Sequence, residues 1–203
     1  MIRLFAAALM LLAARGALAQ DAALEAAIFA GGCFWCVEAD FDKVSGVVET
    51  VSGYTGGWVE NPTYQEVTYG GTGHSEAVRI RFDPARVSYP RLLEIYFRTI
   101  DPFDDRGQFC DRGPSYAPAI FVGGPEQRAA AEAARAAAAE ALDDEIETPI
   151  RDAATFWPAE DHHQNYHETN AAKYGFYRAS CGRDRRIRRI WGETPADALR
   201  RLG

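Results

Sequence analysis

Two cysteines three residues apart are the most chemically informative feature of this 203-residue sequence. Cys33 and Cys36 follow a glycine pair and enclose two aromatic residues, in the order Gly-Gly-Cys-Phe-Trp-Cys. This spacing is typical of redox pairs and metal sites more than of scaffold disulfides. A cysteine that opens a helix lies near unpaired N–H groups and the positive end of the helix dipole. The pattern therefore predicts Cys33 as a nucleophile with a lowered pKa.

The two aromatic residues after Cys33 indicate what kind of group it attacks. Phe34 and Trp35 stand at a helix start, where side chains can line the mouth of a pocket. Aromatic rings beside a thiolate suit a small apolar group, such as the methyl of a sulfoxide, and suit few charged substrates. Packing in the hydrophobic core is the alternative role for both rings.

Two further cysteines, Cys110 and Cys181, bring the total to four. In an oxidising compartment, four cysteines could form two structural disulfides. Four are few for a domain of this size, however, and the spacing of Cys33 and Cys36 favours chemistry over a scaffold role.

The elements that must position these residues follow from the hydrophobic pattern. Apolar runs predict strands at 26–30, 47–54, 77–82, 119–122 and 148–151. Helical spacing predicts helices from Cys33 onward and at 88–100, 125–142 and 159–170. We expect an α+β fold, a two-layer α/β sandwich with a mixed sheet, a ferredoxin-like core, long loops and an irregular C-terminal tail that holds Cys181. The glycine-rich loop before residue 77 is long enough to be functional.

The first 19 residues have the pattern of a secretory signal. A basic residue, Arg3, precedes an apolar run at 4–14 and a small-residue cleavage site that ends at Ala19. We expect removal of residues 1–19, export to the periplasm or the medium, and a single domain over 20–203. A run of about eleven apolar residues is too short for a stable membrane span.

Charge and composition exclude several classes of protein. With 47% hydrophobic residues, the chain should fold around a core. Cleavage after Ala19 would leave 20 basic and 29 acidic side chains, because Arg3 and Arg15 are lost, and 20 minus 29 gives a net charge of −9. Nucleic acid is therefore not expected as a partner. The arginine cluster at 183–189 is interpreted as a solvated helix face without an assigned function.

Several further segments carry a resemblance to a known family. The segments are Gly31–Trp35, Asn61–Tyr64, Gly73–Glu76, Asp111–Gly113, Tyr116, Ala119–Phe121 and Pro158–Gln164. In order and spacing they resemble the A-type peptide methionine sulfoxide reductases, and they cover nearly all of the mature chain. The resemblance implies reduction of methionine S-sulfoxide, in oxidised proteins or free. We expect a monomer that binds no cofactor or metal.

The resemblance also implies roles for four further side chains. When a thiolate attacks a sulfoxide sulfur, the departing oxygen must be protonated. Glu76 matches the family's acid, Tyr64 and Tyr116 would hydrogen-bond the oxygen, and Asp111 would orient this set or bind water. From the residues alone, Glu76 could equally be a solvated carboxylate beside a strand, and the tyrosines could be packing residues.

The reaction would leave a sulfenic acid on Cys33, which a second thiol can convert to a disulfide. Cys181 resembles the family's C-terminal resolving cysteine and is the leading candidate. Cys36 and Cys110 remain as alternatives, although many relatives have glycine at the position of Cys36. An external dithiol must reopen the disulfide, and the family implies a thioredoxin-like donor.

The sequence departs from the family's pattern at two places. Pro114-Ser115 and Ala117-Pro118 flank Tyr116 where other residues are usual, which puts the loop geometry in question. His162 stands where tyrosine is common, and we expect activity to survive both departures.

Two alternative functions remain at this stage. An exported thioredoxin-like dithiol exchanger would use Cys33 and Cys36 as its redox pair. A metal-binding module would combine the same cysteines with His162, His163 and His167, although a single Cys-x-x-Cys with no second pair argues against zinc.

Overall fold

The computed structural model describes residues 23–146 and 148–203, so the expected signal sequence lies outside the described residues. The strands are β1 Glu25–Ala30, β2 Val47–Thr55, β3 Ser75–Phe82, β4 Gly107–Gln108, β5 Asp111–Arg112, β6 Ala119–Val122, β7 Ile150–Asp152 and β8 Trp157–Pro158. The helices are α1 Phe34–Phe41, α2 Tyr64–Tyr69, α3 Tyr89–Phe97, α4 Pro125–Leu142, α5 Tyr166–Thr169, α6 Ala171–Cys181, α7 Arg183–Trp191 and α8 Pro195–Leu202. Two 3₁₀ turns lie at Pro114–Tyr116 and Asp161–His163.

Six of the strands form one mixed sheet in the order β7-β6-β1-β3-β2-β8. All neighbours are antiparallel except β6 and β7, which are parallel. The four central strands, in the order β6-β1-β3-β2, together with the crossover helices α1 and α3, have the ferredoxin-like arrangement. The structure confirms the predicted α+β class and mixed sheet.

The alternation in β3 explains how the sheet acquires two different faces. Val78, Ile80 and Phe82 are fully buried in the main core with residues of α1 and α3, whereas Arg81 is exposed. On the opposite face, Ala77 belongs to a small separate cluster. Period-two alternation places successive side chains on opposite faces of a strand, so the helices lie on the apolar side.

The expected irregular C-terminal tail is instead helical, since α6, α7 and α8 follow one another. The reason lies partly in a buried charge. Arg183, assigned to a solvated face from sequence, is 1% exposed and donates hydrogen bonds to the carbonyl oxygens of Gly31 (3.1 Å) and Thr99 (2.8 Å). Arg178 forms an ion pair with buried Asp40 at 2.9 Å. Arg178 thus ties α6 to α1, and Arg183 ties α7 to the turn before α1 and to the segment after α3.

The helix predicted at 159–170 is also absent as a continuous element. The 3₁₀ turn Asp161–His163 and the short α5 replace it, separated by Asn165 with a left-handed φ of 51°. In the described part of the chain, no helix is long and apolar enough to cross a membrane.

Candidate active site

Cys33 lies at the N-cap of α1, as its sequence position predicts. Gly32 adopts φ 81°, a left-handed conformation that favours glycine, and this turn leads β1 into the helix. A side chain there would also clash, because a Cβ atom would lie 2.5 Å from Cβ of Gln108. Both Cys33 and Cys36 are free thiols, and both are buried. The glycine therefore places the buried Cys33 thiol at the N-terminal end of α1.

The expected lowering of the Cys33 pKa is wrong for this resting dithiol state. Burial raises the pKa of Cys33, and the adjacent Cys36 thiol and the Glu76 carboxyl group raise it further. Conversely, a hydrogen bond from Cys33 lowers the pKa of Cys36, with the charges of Arg183 and Arg178 also favouring the thiolate. Desolvation outweighs the helix position because a buried sulfur loses its water.

Glu76 lies on β3 and reaches the same helix start. Its Oε2 accepts a hydrogen bond from the backbone N–H of Phe34 at 3.0 Å, directly after the nucleophile. The side chain is 1% exposed, and burial raises its pKa to about 8, with a further upward contribution from Asp111. At neutral pH most of the Glu76 population is protonated, so the carboxyl group can serve as a proton donor.

The long loop after β2 carries Tyr64 to this carboxyl group. Thr63 and Glu66 form a capping box that begins α2 at Tyr64, a helix that the sequence analysis missed. The backbone N–H of Tyr64 donates to Oε1 of Glu160 at 2.9 Å, which ties the loop to the segment after β8. The capping box and this hydrogen bond therefore fix the backbone position of Tyr64.

Tyr116 completes the polar side of the site. It ends the 3₁₀ turn that begins at Pro114, and its backbone N–H donates to the carbonyl oxygen of Gly113 at 3.0 Å. Its hydroxyl group lies near the Glu76 carboxyl group and the Tyr64 hydroxyl group and affects the pKa of both. The unusual residues around Tyr116 thus still bring its phenol to the predicted partners.

The aromatic wall is larger than the sequence indicated. Trp35 stacks on Tyr166 with ring centroids 3.8 Å apart and planes 8° from parallel. Its indole N–H donates to Nδ1 of His163 at 3.2 Å, an acceptor role that suits the lowered pKa that burial gives this histidine. Phe34 packs in the main core but also lies 6.2 Å from the ring of Tyr64. The position of Phe34 is therefore compatible both with lining a pocket and with packing in the core.

Sequence reasoning missed His163 and Tyr166 as parts of this wall. The motif that contains His163 was noted only for its resemblance and as a metal-ligand alternative. His162, the departure from the family's pattern, is exposed and lies beside His163, with ring centroids 4.1 Å apart and planes tilted by 39°. No periodicity rule identifies such contacts, because they join α1 to a segment about 130 residues later.

Cys181 and Cys110 are joined in a disulfide that links α6 to the turn between β4 and β5. Cys181 is therefore not a free thiol in this state. Asp111 follows Cys110 and accepts a hydrogen bond from the hydroxyl group of Tyr177, a residue that the sequence analysis did not single out. Tyr177 also packs against the buried cluster that contains Cys33 and Cys36, so it lies between Cys33 and this carboxylate.

The metal-binding alternative is not supported by the described residues. Within them, the one group with ligand atoms close enough for a metal is Cys110, Asp111 and Cys181, and its two sulfurs are bonded to each other. Cys33, Cys36 and the histidines of the 160s do not form such a group there.

Fold and site together define a thiol-dependent reductase with a buried cysteine and a buried carboxyl group at one helix start. Residues 25–195 match the family model described as peptide methionine sulfoxide reductase. The chain therefore belongs to the peptide methionine sulfoxide reductase family and is an oxidoreductase that reduces methionine sulfoxide.

Individual relatives support this assignment. The chain is 50% identical over 193 residues to peptide methionine sulfoxide reductase MsrA 2 of Caulobacter vibrioides, covering 95% of this chain and 98% of that protein. Methionine sulfoxide reductase A of Corynebacterium diphtheriae is a structural neighbour with 32% identity and a TM-score of 0.65, covering 75% and 77% of the two chains. Mxr1 of Saccharomyces cerevisiae, solved in complex with Trx2, shares the fold at 16% identity, with a TM-score of 0.50 and coverage of 70% and 84%.

Proposed function

We propose that this enzyme reduces the S epimer of methionine sulfoxide, in proteins and free, through a sulfenic acid on Cys33. One observation carries the proposal. The Glu76 carboxyl group accepts a hydrogen bond from Phe34, the residue directly after Cys33, so acid and nucleophile meet at one helix end. A substrate bound there would have its sulfur beside the thiol and its oxygen beside the acid.

The first chemical step uses both groups. The Cys33 sulfur, having lost its proton, bonds to the sulfoxide sulfur while Glu76 transfers its proton to the sulfoxide oxygen. Collapse of the adduct moves this OH to the Cys33 sulfur and releases methionine, leaving Cys–SOH. The phenols of Tyr64 and Tyr116 stabilise the oxygen as negative charge develops on it, as preorganised donors do.

Recognition of the substrate would depend on its methyl group. Trp35 is partly buried and is braced by its stacking on Tyr166, which makes a rigid apolar surface next to the nucleophile. A methyl group packed on this surface fixes which lone pair and which oxygen position face Glu76. The same contact explains why one epimer should be preferred. If the methyl group and the side chain of the other epimer occupied the same places, its oxygen would point away from Glu76.

For the resolving thiol, the structure favours Cys36 over the expected Cys181. Cys36 is free, buried and packed in the same cluster as Cys33, whereas Cys181 is bonded to Cys110. Attack of Cys36 on the sulfenic acid forms the Cys33–Cys36 disulfide and releases water. A role for Cys181 would require its existing disulfide to open first.

An external dithiol then restores the enzyme. Its first thiolate forms a mixed disulfide with the enzyme, and its second closes the donor's own disulfide and frees both thiols. The yeast relative Mxr1 has been crystallised with Trx2, which supports a thioredoxin-like donor for this chain as well.

A single-turnover assay with separated epimers tests this function. Reduced wild-type enzyme, without added reductant, is expected to release one methionine per chain from S-sulfoxide and none from R-sulfoxide. Both a free and a peptide-bound substrate should react, and mass spectrometry should locate the oxidation at Cys33. The proposal fails if the R epimer reacts as fast as the S epimer, or if Cys33→Ser retains the burst of methionine.

We also propose that the mature enzyme is exported. The apolar run at 4–14 and the small residues up to Ala19 support cleavage near that position. Expression of the full chain in a Gram-negative host is expected to place the product in the periplasmic fraction, with a mature N-terminus at or near Gln20 by N-terminal sequencing. An uncleaved product in the cytoplasm would contradict the proposal, and Leu11→Arg, which interrupts the apolar run, serves as the retained control.

A further inference from the structure

The proton on the buried Cys33 thiol needs an acceptor other than Glu76. Burial raises the pKa of Cys33, so at neutral pH its sulfur carries a proton that must leave before or during attack. Glu76 is itself protonated at this pH and is needed to donate to the oxygen. A separate group must therefore take the Cys33 proton.

Tyr177 connects Cys33 to a carboxylate. Its side chain packs against the buried cluster that contains Cys33 and Cys36, and its hydroxyl group donates a hydrogen bond to Oδ2 of Asp111. Its ring packs edge-on against Trp35, with centroids 6.0 Å apart and planes at 84°, so the phenol is held from the side. Because α6 is fixed by the Cys110–Cys181 disulfide one turn further on, the phenol has a defined position relative to Asp111.

We infer that Tyr177 is a catalytic residue that passes the Cys33 proton to Asp111. This inference rests on the proposed function. As the Cys33 sulfur bonds to the sulfoxide sulfur, its S–H bond breaks and the proton moves to the Tyr177 oxygen. The phenol's own proton passes to the Asp111 carboxylate, so Tyr177 ends neutral. Glu76 ends deprotonated and Asp111 ends protonated, and exchange with solvent resets both groups.

Other charged and titratable groups face these atoms and must be considered. Cys33 is faced by Cys36 on its own helix, by Glu76 on β3 and by Tyr64 on α2. Asp111 is faced by Glu76 and by Arg183. The positive charge of Arg183 lowers the pKa of Asp111 and so opposes part of the rise caused by burial. Burial raises the pKa of Asp111, which makes it a better proton acceptor than a solvated aspartate.

Cys36 is the competing acceptor, because its thiol packs in the same buried cluster as Cys33. Both sulfurs are buried, however, so a proton passed to Cys36 stays within the pair. Asp111 is only partly buried and adjoins the exposed Cys110, so a proton placed on it has a path to water. This difference favours the route through Tyr177.

The test is the pH dependence of the single-turnover rate in Tyr177→Phe, which removes one hydroxyl group. At pH 7 the rate is expected to fall about tenfold to a hundredfold, within the range of a lost proton transfer. The acidic limb of the profile, where the rate declines at low pH, should move to higher pH. Asp111→Asn should give the same shift, and the double variant should lose no more than either single variant. The alkaline limb, which belongs to Glu76, should remain.

A matched control is Tyr174→Phe on the same helix, whose hydroxyl group accepts from Arg178 at 3.0 Å instead of facing Cys33. It should keep the wild-type acidic limb, and both phenylalanine variants should retain the Cys110–Cys181 disulfide by peptide mapping. The inference is overturned if Tyr177→Phe and Asp111→Asn keep the wild-type profile, or if Cys36→Ser alone moves the acidic limb. Wild-type enzyme that releases no methionine would instead refute the proposed function.

Discussion

Replacing Glu76 by glutamine should lower kcat/KM at pH 7 by about a hundredfold to ten-thousandfold, the range of a lost general acid. This loss corresponds to about 3–5 kcal/mol of transition-state stabilisation. Glutamine keeps the size of the side chain, and its amide oxygen can still accept from the Phe34 N–H that now bonds to Oε2 at 3.0 Å. The variant therefore removes the acidic proton that Glu76 would transfer to the sulfoxide oxygen and leaves the local packing in place.

The pH profile makes this prediction specific. Burial raises the pKa of Glu76 to about 8, so the acid form is present below that pH and is lost as the pH rises through it. Wild-type activity should consequently decline above about pH 8, and Glu76→Gln should lack this decline because an amide does not titrate in this range. Measurement of kcat/KM from pH 6 to pH 10 shows the difference.

Glu38→Gln is the matched control for this experiment. Glu38 is another fully buried carboxyl group, whose pKa is raised to about 7 by burial, and it accepts from the Asn165 N–H at 3.0 Å, away from the Cys33 thiol. Its variant should retain the decline above pH 8. If Glu38→Gln abolished the alkaline decline and Glu76→Gln did not, Glu76 would not be the acid.

The sequence was most informative where local signals agree. Gly-Gly-Pro before an alanine-rich run predicts a helix over 125–142, and α4 has those bounds. The alternation at 77–82 likewise predicts which face of β3 is buried. The resemblance led to Glu76, Tyr64 and Tyr116, which the fold does bring together. These features depend on residues close in sequence or on motifs in a shared order.

Properties that depend on distant contacts could not be predicted in the same way. The raised pKa of Cys33 results from burial. This burial depends on side chains of α6, a helix about 140 residues later in the chain, that pack against the start of α1. Arg183 was assigned to solvent because its neighbours are arginines, yet its guanidinium lies 4.7 Å over the ring of Phe109 and is fully enclosed. Only the assembled fold shows that one arginine of a charged run is internal. The capping box at Thr63, in contrast, was visible in the sequence and could have revealed α2.

Cys36→Ser should abolish steady-state turnover with a thioredoxin-like donor while leaving the first methionine per chain intact. The variant retains Cys33 and the acid but lacks the thiol that lies against the sulfenic acid. Alkylation and peptide mapping after one turnover should show a Cys33–Cys36 disulfide in wild type and a trapped sulfenic acid in the variant, detected by a dimedone-type reagent.

The double variant Cys110→Ser/Cys181→Ser separates this mechanism from its alternatives, because it removes the outer disulfide without creating a free thiol. If Cys36 is the resolving residue, this variant should still form the Cys33–Cys36 disulfide after one turnover. If Cys181 resolves instead, wild type should yield a Cys33–Cys181 bond and Cys36→Ser should keep turning over. A dithiol exchanger would behave differently again, since Cys36→Ser would then lose even the first methionine. The buried position of Cys36 beside Cys33 favours the first of these three outcomes.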